Sequence, residues 1–273
     1  MGRAFALKGI AAVLVALELW LFDGPWATGL ALVTVVLLVA LFVWAIVSPR
    51  AQVLVATTWR CRGSAVAFTF DDGPDPVYTP RVLEVLARHR ARATFFVVGA
   101  RAAAHPELVR RIEAEGHLVG THTQNHSHLF HFGSAASMRR DIEAGLDTVE
   151  RIVGHRPRLF RPPQGLRTPL LRDALRALPS LVCVTWTERG LDAMGRSSSR
   201  IVERLERALA PGAILTLHDG AGLGGTLDRA ATVEALEVLL ARAEALGLPC
   251  VTLADLESRQ NVASSSGASG PRT

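Results

Sequence analysis

The sequence predicts an α/β fold in which seven parallel strands form a barrel-like sheet, preceded by one or two membrane-spanning helices. Three observations support this prediction. From Ser64 onward, short segments rich in β-branched and aromatic residues alternate with amphipathic helical segments. Ionisable side chains gather where the apolar segments end, which is where α/β folds place their chemistry. Near the N-terminus, the uncharged segment Gly29–Val47 is long enough to cross a bilayer.

The individual strands are predicted from apolar runs of strand length that are bounded by turn residues. The seven predicted strands are Ala65–Phe70, Ala93–Val98, Leu118–Thr121, Leu159–Arg161, Leu181–Trp186, Ala213–Leu217 and Cys250–Thr252. The predicted helices are Thr79–His89, Pro106–Glu115, Ala135–Val153, Pro169–Ala177, Ser198–Ala210 and Arg229–Leu246. A further short strand is expected around Val53–Val55. This order of elements is typical of a β/α barrel.

Residues 1–50 are predicted to be a membrane anchor. Two apolar segments, Phe5–Phe22 and Gly29–Val47, are joined by a short turn-like link and are expected to form a two-helix hairpin. Lys8 and Glu18 weaken the first segment as a spanning helix. An uncleaved signal anchor, or a signal peptide covering the first segment, is therefore the alternative to a hairpin.

Three further regions follow the predicted anchor. Residues 51–63 are expected to be a linker, residues 64–258 the α/β domain, and the Ser/Gly-rich residues 259–273 a disordered tail. The chain has 273 residues, of which 49% are hydrophobic. That length is sufficient for one domain of roughly 200 residues in addition to an anchor.

The basic residues that flank the apolar segments predict the orientation in the membrane. Arg3 and Lys8 precede or begin the first segment, and Arg50, Arg60 and Arg62 follow the second, whereas the link between them carries no positive charge. The positive-inside rule then places both ends of a hairpin on the cytoplasmic side of a bacterial-type inner membrane. If only the second segment spans, the α/β domain lies outside the cytoplasm instead.

The overall charge does not indicate a nucleic-acid partner. Lys8 is the only lysine, and the arginines are interleaved with acidic residues, as in 200–206, which is typical of solvated helix faces. The pI near 10 therefore predicts no binding to nucleic acid. The three cysteines are widely spaced and predict neither a disulfide framework nor a cysteine zinc site.

Five of the seven predicted strands end in ionisable or metal-binding side chains. These side chains are Asp71 and Asp72 after the first strand, His122 and His126 after the third, Arg161 at the end of the fourth, Glu188 and Asp192 after the fifth, and His218 after the sixth. The carboxyl ends of parallel strands meet at one edge of a sheet. The pattern therefore predicts one active site there.

Four of these segments resemble sequence motifs of the polysaccharide deacetylase family, also called the NodB-homology domain or carbohydrate esterase family four. The motifs are TFDDGP at Thr69–Pro74, HTQNH at His122–His126, RPPQG at Arg161–Gly165 and LTLHD at Leu215–Asp219. The resemblance spans Val66–Thr252. It implies a distorted (β/α)7 barrel that removes an acyl group, usually acetyl, from the nitrogen of an amino sugar.

The resemblance implies that Asp72, His122 and His126 bind one divalent metal ion, usually zinc. Two imidazoles four residues apart meet on one face if their loop coils helically, and a carboxylate completes three ligands. Three protein ligands leave an open coordination position, as a catalytic site requires. Two histidines and one carboxylate also suit iron, cobalt or nickel.

The resemblance also assigns Asp71 and the RPPQG segment. Asp71 would be the general base that takes a proton from the attacking water, and Arg161 would be its ion-pair partner. Gln164 would donate its backbone N–H to the developing oxyanion. The family more often has an aromatic residue at that position, so a wall on which a sugar stacks is lost here.

The remaining assignments concern the general acid and its surroundings. His218 would protonate the leaving amine, and Leu215 would line the pocket for the acyl methyl group. The family has a fifth motif, which lies between RPPQG and LTLHD. It departs from the family pattern here, because Glu188 and Asp192 are four residues apart, and Asp192 is the predicted partner of His218. His131, on the loop after His126, is expected to be solvated.

These features predict a metal-dependent hydrolase that acts on an N-acylated amino-sugar glycan or a lipid-linked sugar. The membrane anchor favours a substrate held at the bilayer. Two alternatives stay open, one an enzyme of the same fold and the other a protein without catalytic activity. The same fold could hydrolyse an O-acetyl ester or a small amide or imide, or the protein could be a catalytically inactive, membrane-anchored glycan-binding protein.

Overall fold

A computed structural model of the chain describes residues 25–220 and 228–256. The predicted first apolar segment, Phe5–Phe22, and the predicted tail, 259–273, lie outside these residues. The hairpin, the domain boundary at residue 258 and the tail therefore stay predictions.

A single sheet of seven parallel strands forms the centre of the fold. In chain order the strands are β1 (Ala67–Asp71), β2 (Ala93–Val97), β3 (Leu118–Thr121), β4 (Leu159–Phe160), β5 (Val182–Cys183), β6 (Glu188–Arg189) and β7 (Ile214–His218). Across the sheet the order is β5-β4-β3-β2-β1-β7-β6, so β5 and β6 are its edges. This parallel half-barrel confirms the predicted fold class.

The predicted number of strands is right, but one of the predicted strands is wrong. Cys250–Thr252 makes only an isolated bridge to Val66 and is not a strand of the sheet. The seventh strand is instead Glu188–Arg189, which pairs with β7. Its two charged residues carry no apolar pattern, so periodicity could not reveal it.

The segment before the domain also differs from the prediction. Val53–Val55 is not a strand. Slightly later in the chain, Thr58 forms a bridge with Val184 and Arg60 forms a bridge with Ala213. The linker therefore connects the chain after β5 with the chain before β7, across the opening of the half-barrel.

Helices connect most of the strands. They are α1 (Pro25–Val47), α2 (Tyr78–Arg88), α3 (Gly99–Ala104), α4 (Pro106–Ala114), α5 (Ala135–Val153), α6 (Pro169–Leu175), α7 (Ser198–Glu206) and α8 (Ala230–Ala245). The short helix α3 was not predicted. Local signals explain the ends of α5, because the Ser134 hydroxyl accepts a hydrogen bond from the Ser137 N–H, and Gly154 ends the helix at φ 87°.

Alternation along β1 and β7 separates an outer core from an inner face. Phe68, Phe70 and Leu215 belong to the large cluster that packs against α2, α7 and α8. Ala67 and Ile214 belong to a second cluster on the opposite side of the sheet. Because side chains alternate along a strand, the polar residues of β1 and β7 that share a face with Ala67 and Ile214 point to the inside of the half-barrel.

Helix α1 is apolar along its length and is fixed to the domain at its C-terminal end. The most apolar 18-residue window of Thr28–Val47 has a mean hydropathy of 3.1, and only 11% of that window is buried. The helix could therefore be a membrane-spanning or a signal helix. The fully buried side chain of Arg167 donates hydrogen bonds to the carbonyls of Ile46 (3.1 Å) and Ala51 (3.2 Å). The bond to Ile46 satisfies a carbonyl group that the helix end leaves unpaired, and the bond to Ala51 holds the chain that follows the helix.

Candidate active site

The sheet register brings Asp71 and His218 together. β1 and β7 are neighbours, and Asp71 lies directly opposite His218 in their pairing. Asp71 ends β1 on the same inward face as Thr69 and Ala67. The two residues therefore lie side by side at the carboxyl edge of the sheet. The two strands are far apart in the chain, since Thr69 on β1 bonds to Leu215 on β7, 146 positions later.

Asp71 is paired with a buried arginine. Arg161 is fully buried, and its Nη1 lies 2.7 Å from Asp71 Oδ1. The same guanidinium donates to the Thr69 hydroxyl at 2.8 Å and to the Thr185 carbonyl at 2.9 Å. Its flat face lies 4.1 Å from the ring centroid of Phe96. These contacts hold the guanidinium of Arg161, and with it the carboxylate of Asp71, in place.

Asp72, His122 and His126 form a group of ligand atoms that could hold a metal ion. One ligand atom from each residue lies within 4.8 Å of the others. The Nε2 atoms of His122 and His126 lie 3.6 and 3.3 Å from Asp72 Oδ1. Among the described residues, this buried Oδ1 has no hydrogen-bond partner. A buried carboxylate oxygen left unpaired between two imidazoles fits a cation.

The protonation states in this group also fit a cation. Burial is the main cause that lowers the pKa of His126 to about 4, so its imidazole is neutral at pH 7. Burial opposes the charged form of Asp72, but His218 above all, together with the two histidines of the group and the Arg101 guanidinium, holds its pKa below the usual range. His122 Nδ1 lies 2.7 Å from the Arg161 carbonyl, which directs Nε2 toward the group.

The two histidines do not meet through a helical loop, as the sequence had suggested. Residues 122–126 are non-helical. Thr123 and His126 adopt left-handed conformations, with φ of 68° and 48°, and the Thr123 hydroxyl accepts a hydrogen bond from the His126 N–H. This bent loop brings the two imidazole centroids to 4.7 Å. The structure brings the predicted residues together, but through a backbone conformation that differs from the predicted one.

His218 makes two hydrogen bonds to Asp192. Its Nδ1 lies 2.9 Å from Asp192 Oδ1, and its backbone N–H donates to Asp192 Oδ2 at 2.8 Å. Burial opposes the charged imidazole, but the Asp192 carboxylate outweighs it and raises the pKa of His218 to about 9. At pH 7 the imidazole is therefore protonated, and Nε2 is left to face the site.

Three supporting residues were missed by sequence reasoning. Thr232 on α8 donates to Asp192 Oδ2 at 3.0 Å, and the buried Arg229 donates to the Asp192 carbonyl at 3.1 Å. Asp219, beside His218, accepts a hydrogen bond from the Thr79 hydroxyl, and burial raises the pKa of Asp219 to about 7. Only Asp219 lies in a motif, so sequence proximity could have found it but not the other two.

The predicted oxyanion residue lies on a tight turn. Gln164 has φ 51°, and the next residue, Gly165, has φ 68°. A Cβ at Gly165 would lie 2.1 Å from the Trp186 ring. His131 is buried rather than solvated, and its Nε2 lies 2.9 Å from the Pro163 carbonyl. The loop after the second histidine therefore supports the turn that presents the Gln164 N–H.

One expectation is corrected by the structure, and the other acidic residue of the departing motif lies outside the contacts of His218. Leu215 is fully buried in the outer core with Phe68, so it does not face the site; Thr216, the next residue on β7, shares the inward face. Glu188 forms an ion pair with Arg204 at 2.6 Å and takes no part in the contacts of His218. The prediction that Leu215 lines an acyl pocket was wrong because the motif alone does not show which face each residue takes.

Comparisons with known proteins agree with this geometry. The family model for polysaccharide deacetylases matches residues 60–181. A peptidoglycan-N-acetylglucosamine deacetylase of Bacillus cereus is 36% identical over 202 residues, which are 73% of this chain and 92% of that protein. The chain belongs to the polysaccharide deacetylase family. It is thus a hydrolase of the polysaccharide deacetylase type, as the motifs had predicted.

Other relatives of this deacetylase agree in sequence and in structure. A chitooligosaccharide deacetylase of Sinorhizobium fredii is 39% identical over 162 residues, 57% of this chain and 72% of that protein. The peptidoglycan deacetylase PdaC from Bacillus subtilis superimposes with a TM-score of 0.66 at 29% identity, covering 75% of this chain and 95% of that structure. A family 4 carbohydrate esterase from Streptomyces lividans, in complex with acetate, gives a TM-score of 0.60 at 32% identity, covering 69% and 92%.

Proposed function

We propose that this deacetylase removes the N-acetyl group from an amino-sugar-containing glycan. One observation carries the proposal. Asp71 and His218 lie side by side next to a three-ligand group, and each has its own buried partner, Arg161 and Asp192. A base and an acid held on the same site are what amide hydrolysis requires. Relatives that act on peptidoglycan and chitooligosaccharides support this substrate class.

One divalent cation would be held by Asp72, His122 and His126. Zinc is the cation that best suits two imidazoles and one carboxylate. Such a cation supplies Lewis acidity, which polarises the acetyl carbonyl and makes water a stronger acid. The proposal of zinc rests on the donor set. Cobalt, nickel and iron accept the same ligands.

The protein groups divide the proton transfers between them. Asp71 takes a proton from the attacking water as it adds to the acetyl carbon. The Gln164 N–H donates a hydrogen bond to the oxygen that becomes negative. His218 gives its proton to the sugar nitrogen as the carbon–nitrogen bond breaks, so that acetate and the free amine leave.

The full chain, purified in detergent, tests this proposal with metal analysis and a substrate panel. We expect release of acetate from acetylated chitooligosaccharides but not from acetyl-xylan or small imides. Asp71→Asn should abolish turnover and keep the metal, whereas His122→Ala with His126→Ala should lose both. Preference for acetyl-xylan or an imide would favour the esterase or imide alternative. Turnover unaffected by Asp71→Asn would contradict the assigned base.

We further propose that α1 anchors the enzyme in a membrane, and that its substrate lies at the bilayer. The exposed apolar surface of Thr28–Val47 supports a spanning helix. The basic residues around both apolar segments favour a cytoplasmic domain, which would act on a lipid-linked precursor. A C-terminal alkaline phosphatase fusion tests this placement. An active fusion would put the domain outside and make peptidoglycan the substrate.

A further inference from the structure

A cavity of about 520 Å³ lies outside the active site, and six of its thirteen lining residues are arginines. It runs beside α7 and β6. Its six guanidinium groups belong to Arg50, Arg60, Arg196, Arg200, Arg204 and Arg207. The sequence suggested a solvated helix face for the residues of α7. The structure instead combines them with two arginines from the segment that follows α1.

The positive charge of this cavity is only partly neutralised. Two glutamates also line it, and they pair with Arg204 and Arg207 at 2.6 Å each. Arg60 donates to the Pro211 carbonyl, and Arg50 lies 5.9 Å from the Trp59 ring centroid. Six guanidinium groups and two carboxylates leave a net charge of +4. Within the described residues, the other two arginines, at 196 and 200, have no carboxylate partner.

Such a group of like charges favours an anionic ligand. Four guanidinium groups without carboxylates repel one another, and a multivalent anion relieves that repulsion. Guanidinium forms paired, charge-assisted hydrogen bonds with phosphate in particular. A volume of about 520 Å³ is large enough for a phosphate group together with part of the molecule that carries it.

The position of the cavity relative to α1 indicates where its ligand lies. Arg50 follows the last helical residue, Val47, by three positions, so its backbone lies within about 10 Å of the helix end. Arg167 fixes this junction, because it binds the carbonyls of Ile46 and Ala51 on either side of Arg50. If α1 spans the bilayer, Arg50 lies at the level of the lipid headgroups.

Another part of the cavity lining lies next to an active-site residue in the chain. Leu191 lines the cavity, and the next residue in the chain, Asp192, is the hydrogen-bond partner of His218. A ligand bound in the cavity would therefore be held between the end of the membrane helix and the loop that supports the general acid.

We propose that this cavity binds the phosphate group of an anionic lipid in the bilayer that holds α1. The inference rests on the proposed membrane anchoring, and it identifies a second binding site that the deacetylation chemistry does not require. A bound lipid would fix the tilt of the domain against the membrane, and with it the direction in which the active site opens.

Native mass spectrometry of the full chain in detergent micelles tests this site with phosphatidylglycerol, phosphatidylcholine and inorganic phosphate as probes. We expect phosphatidylglycerol to be retained in preference to phosphatidylcholine. Arg196→Gln with Arg200→Gln should weaken its binding by about tenfold, since charge-assisted hydrogen bonds are lost. Arg90→Gln with Arg158→Gln is the matched control. Both arginines are exposed, lack a carboxylate partner within the described residues and lie outside the cavity, so binding should not change.

Two results would overturn the proposal. Equal retention of phosphatidylglycerol by the cavity variant and the control variant would show that the cavity is not the site. Binding of inorganic phosphate as tightly as phosphatidylglycerol would assign the cavity to a soluble anion instead of a lipid. Neither readout depends on turnover, so failure of the deacetylase assay and failure of lipid binding can be told apart.

Discussion

At the scale of single residues, the charge on His218 depends on one neighbour. Burial alone would favour the neutral imidazole, and Asp192 reverses that preference. The proposed reaction needs His218 protonated, and its pKa of about 9 means that the proton is lost as the pH rises through about 9. The rate should therefore fall on the alkaline side of that pH.

Asp192→Asn tests this dependence. Removing the carboxylate leaves burial as the dominant influence, so the pKa of His218 falls and the alkaline limb of the pH–rate profile moves to lower pH. The measurement is kcat/KM for acetylated chitooligosaccharide between pH 5 and about 10. Glu188→Gln is the control, because Glu188 pairs with an exposed arginine and does not touch His218. If the alkaline limb does not move in the Asp192 variant, Asp192 does not control the pKa of His218.

At the scale of elements, the junction between α1 and the domain depends on Arg167. Replacing this fully buried side chain with methionine leaves the Ala51 carbonyl without its side-chain donor, and leaves the Ile46 carbonyl with only the backbone N–H of residue 167. We expect a loss of about 2–4 kcal/mol in the free energy of unfolding, or a fall of about 5–10 °C in Tm. Arg176→Met, at an exposed position just after α6, should change Tm by less than about 2 °C. Equal effects would mean that Arg167 does not hold the junction.

The oxyanion turn allows a second test at this scale. Gly165 and Gly154 both have positive φ, so alanine at either position costs similar backbone strain. Only at Gly165 would the added Cβ collide with a side chain, that of Trp186. Gly165→Ala should therefore displace the Gln164 N–H and lower kcat by about 100-fold, while Gly154→Ala keeps it. Similar kcat values for the two variants would exclude the turn from the site.

At the scale of the whole molecule, the proposed metal would link distant parts of the chain, because its ligands are Asp72, just after β1, and two histidines on the loop after β3. Because such a site exists only in the folded state, bound metal adds to stability by mass action. Chelation should lower Tm of the full chain in detergent by about 5 °C or more when metal is otherwise saturating. Asp72→Asn should start from the lower Tm and show no response to the chelator. A chelator response in that variant would place the metal elsewhere.

How much of the site was predictable depended on how local each signal is. Asp71, Asp72, His122, His126 and Arg161 lie in contiguous motifs at strand ends, so the motif order alone brings them to one edge. Asp192 was predicted although its motif departs from the family pattern, and it lies beside His218. The roles of Thr232, Arg229 and His131 could not be predicted, because each acts through a contact between segments far apart in the chain.

The amino-acid sequence by itself determined the fold class, the residue types at the strand ends and hence the class of reaction, because short apolar runs and contiguous motifs are local properties. Only the tertiary structure decided which face Leu215 takes, that Glu188–Arg189 and not Cys250–Thr252 completes the sheet, and that arginines of α7 meet those after α1. These outcomes depend on strand register and on packing between distant segments, and neither is encoded in any one stretch of the chain.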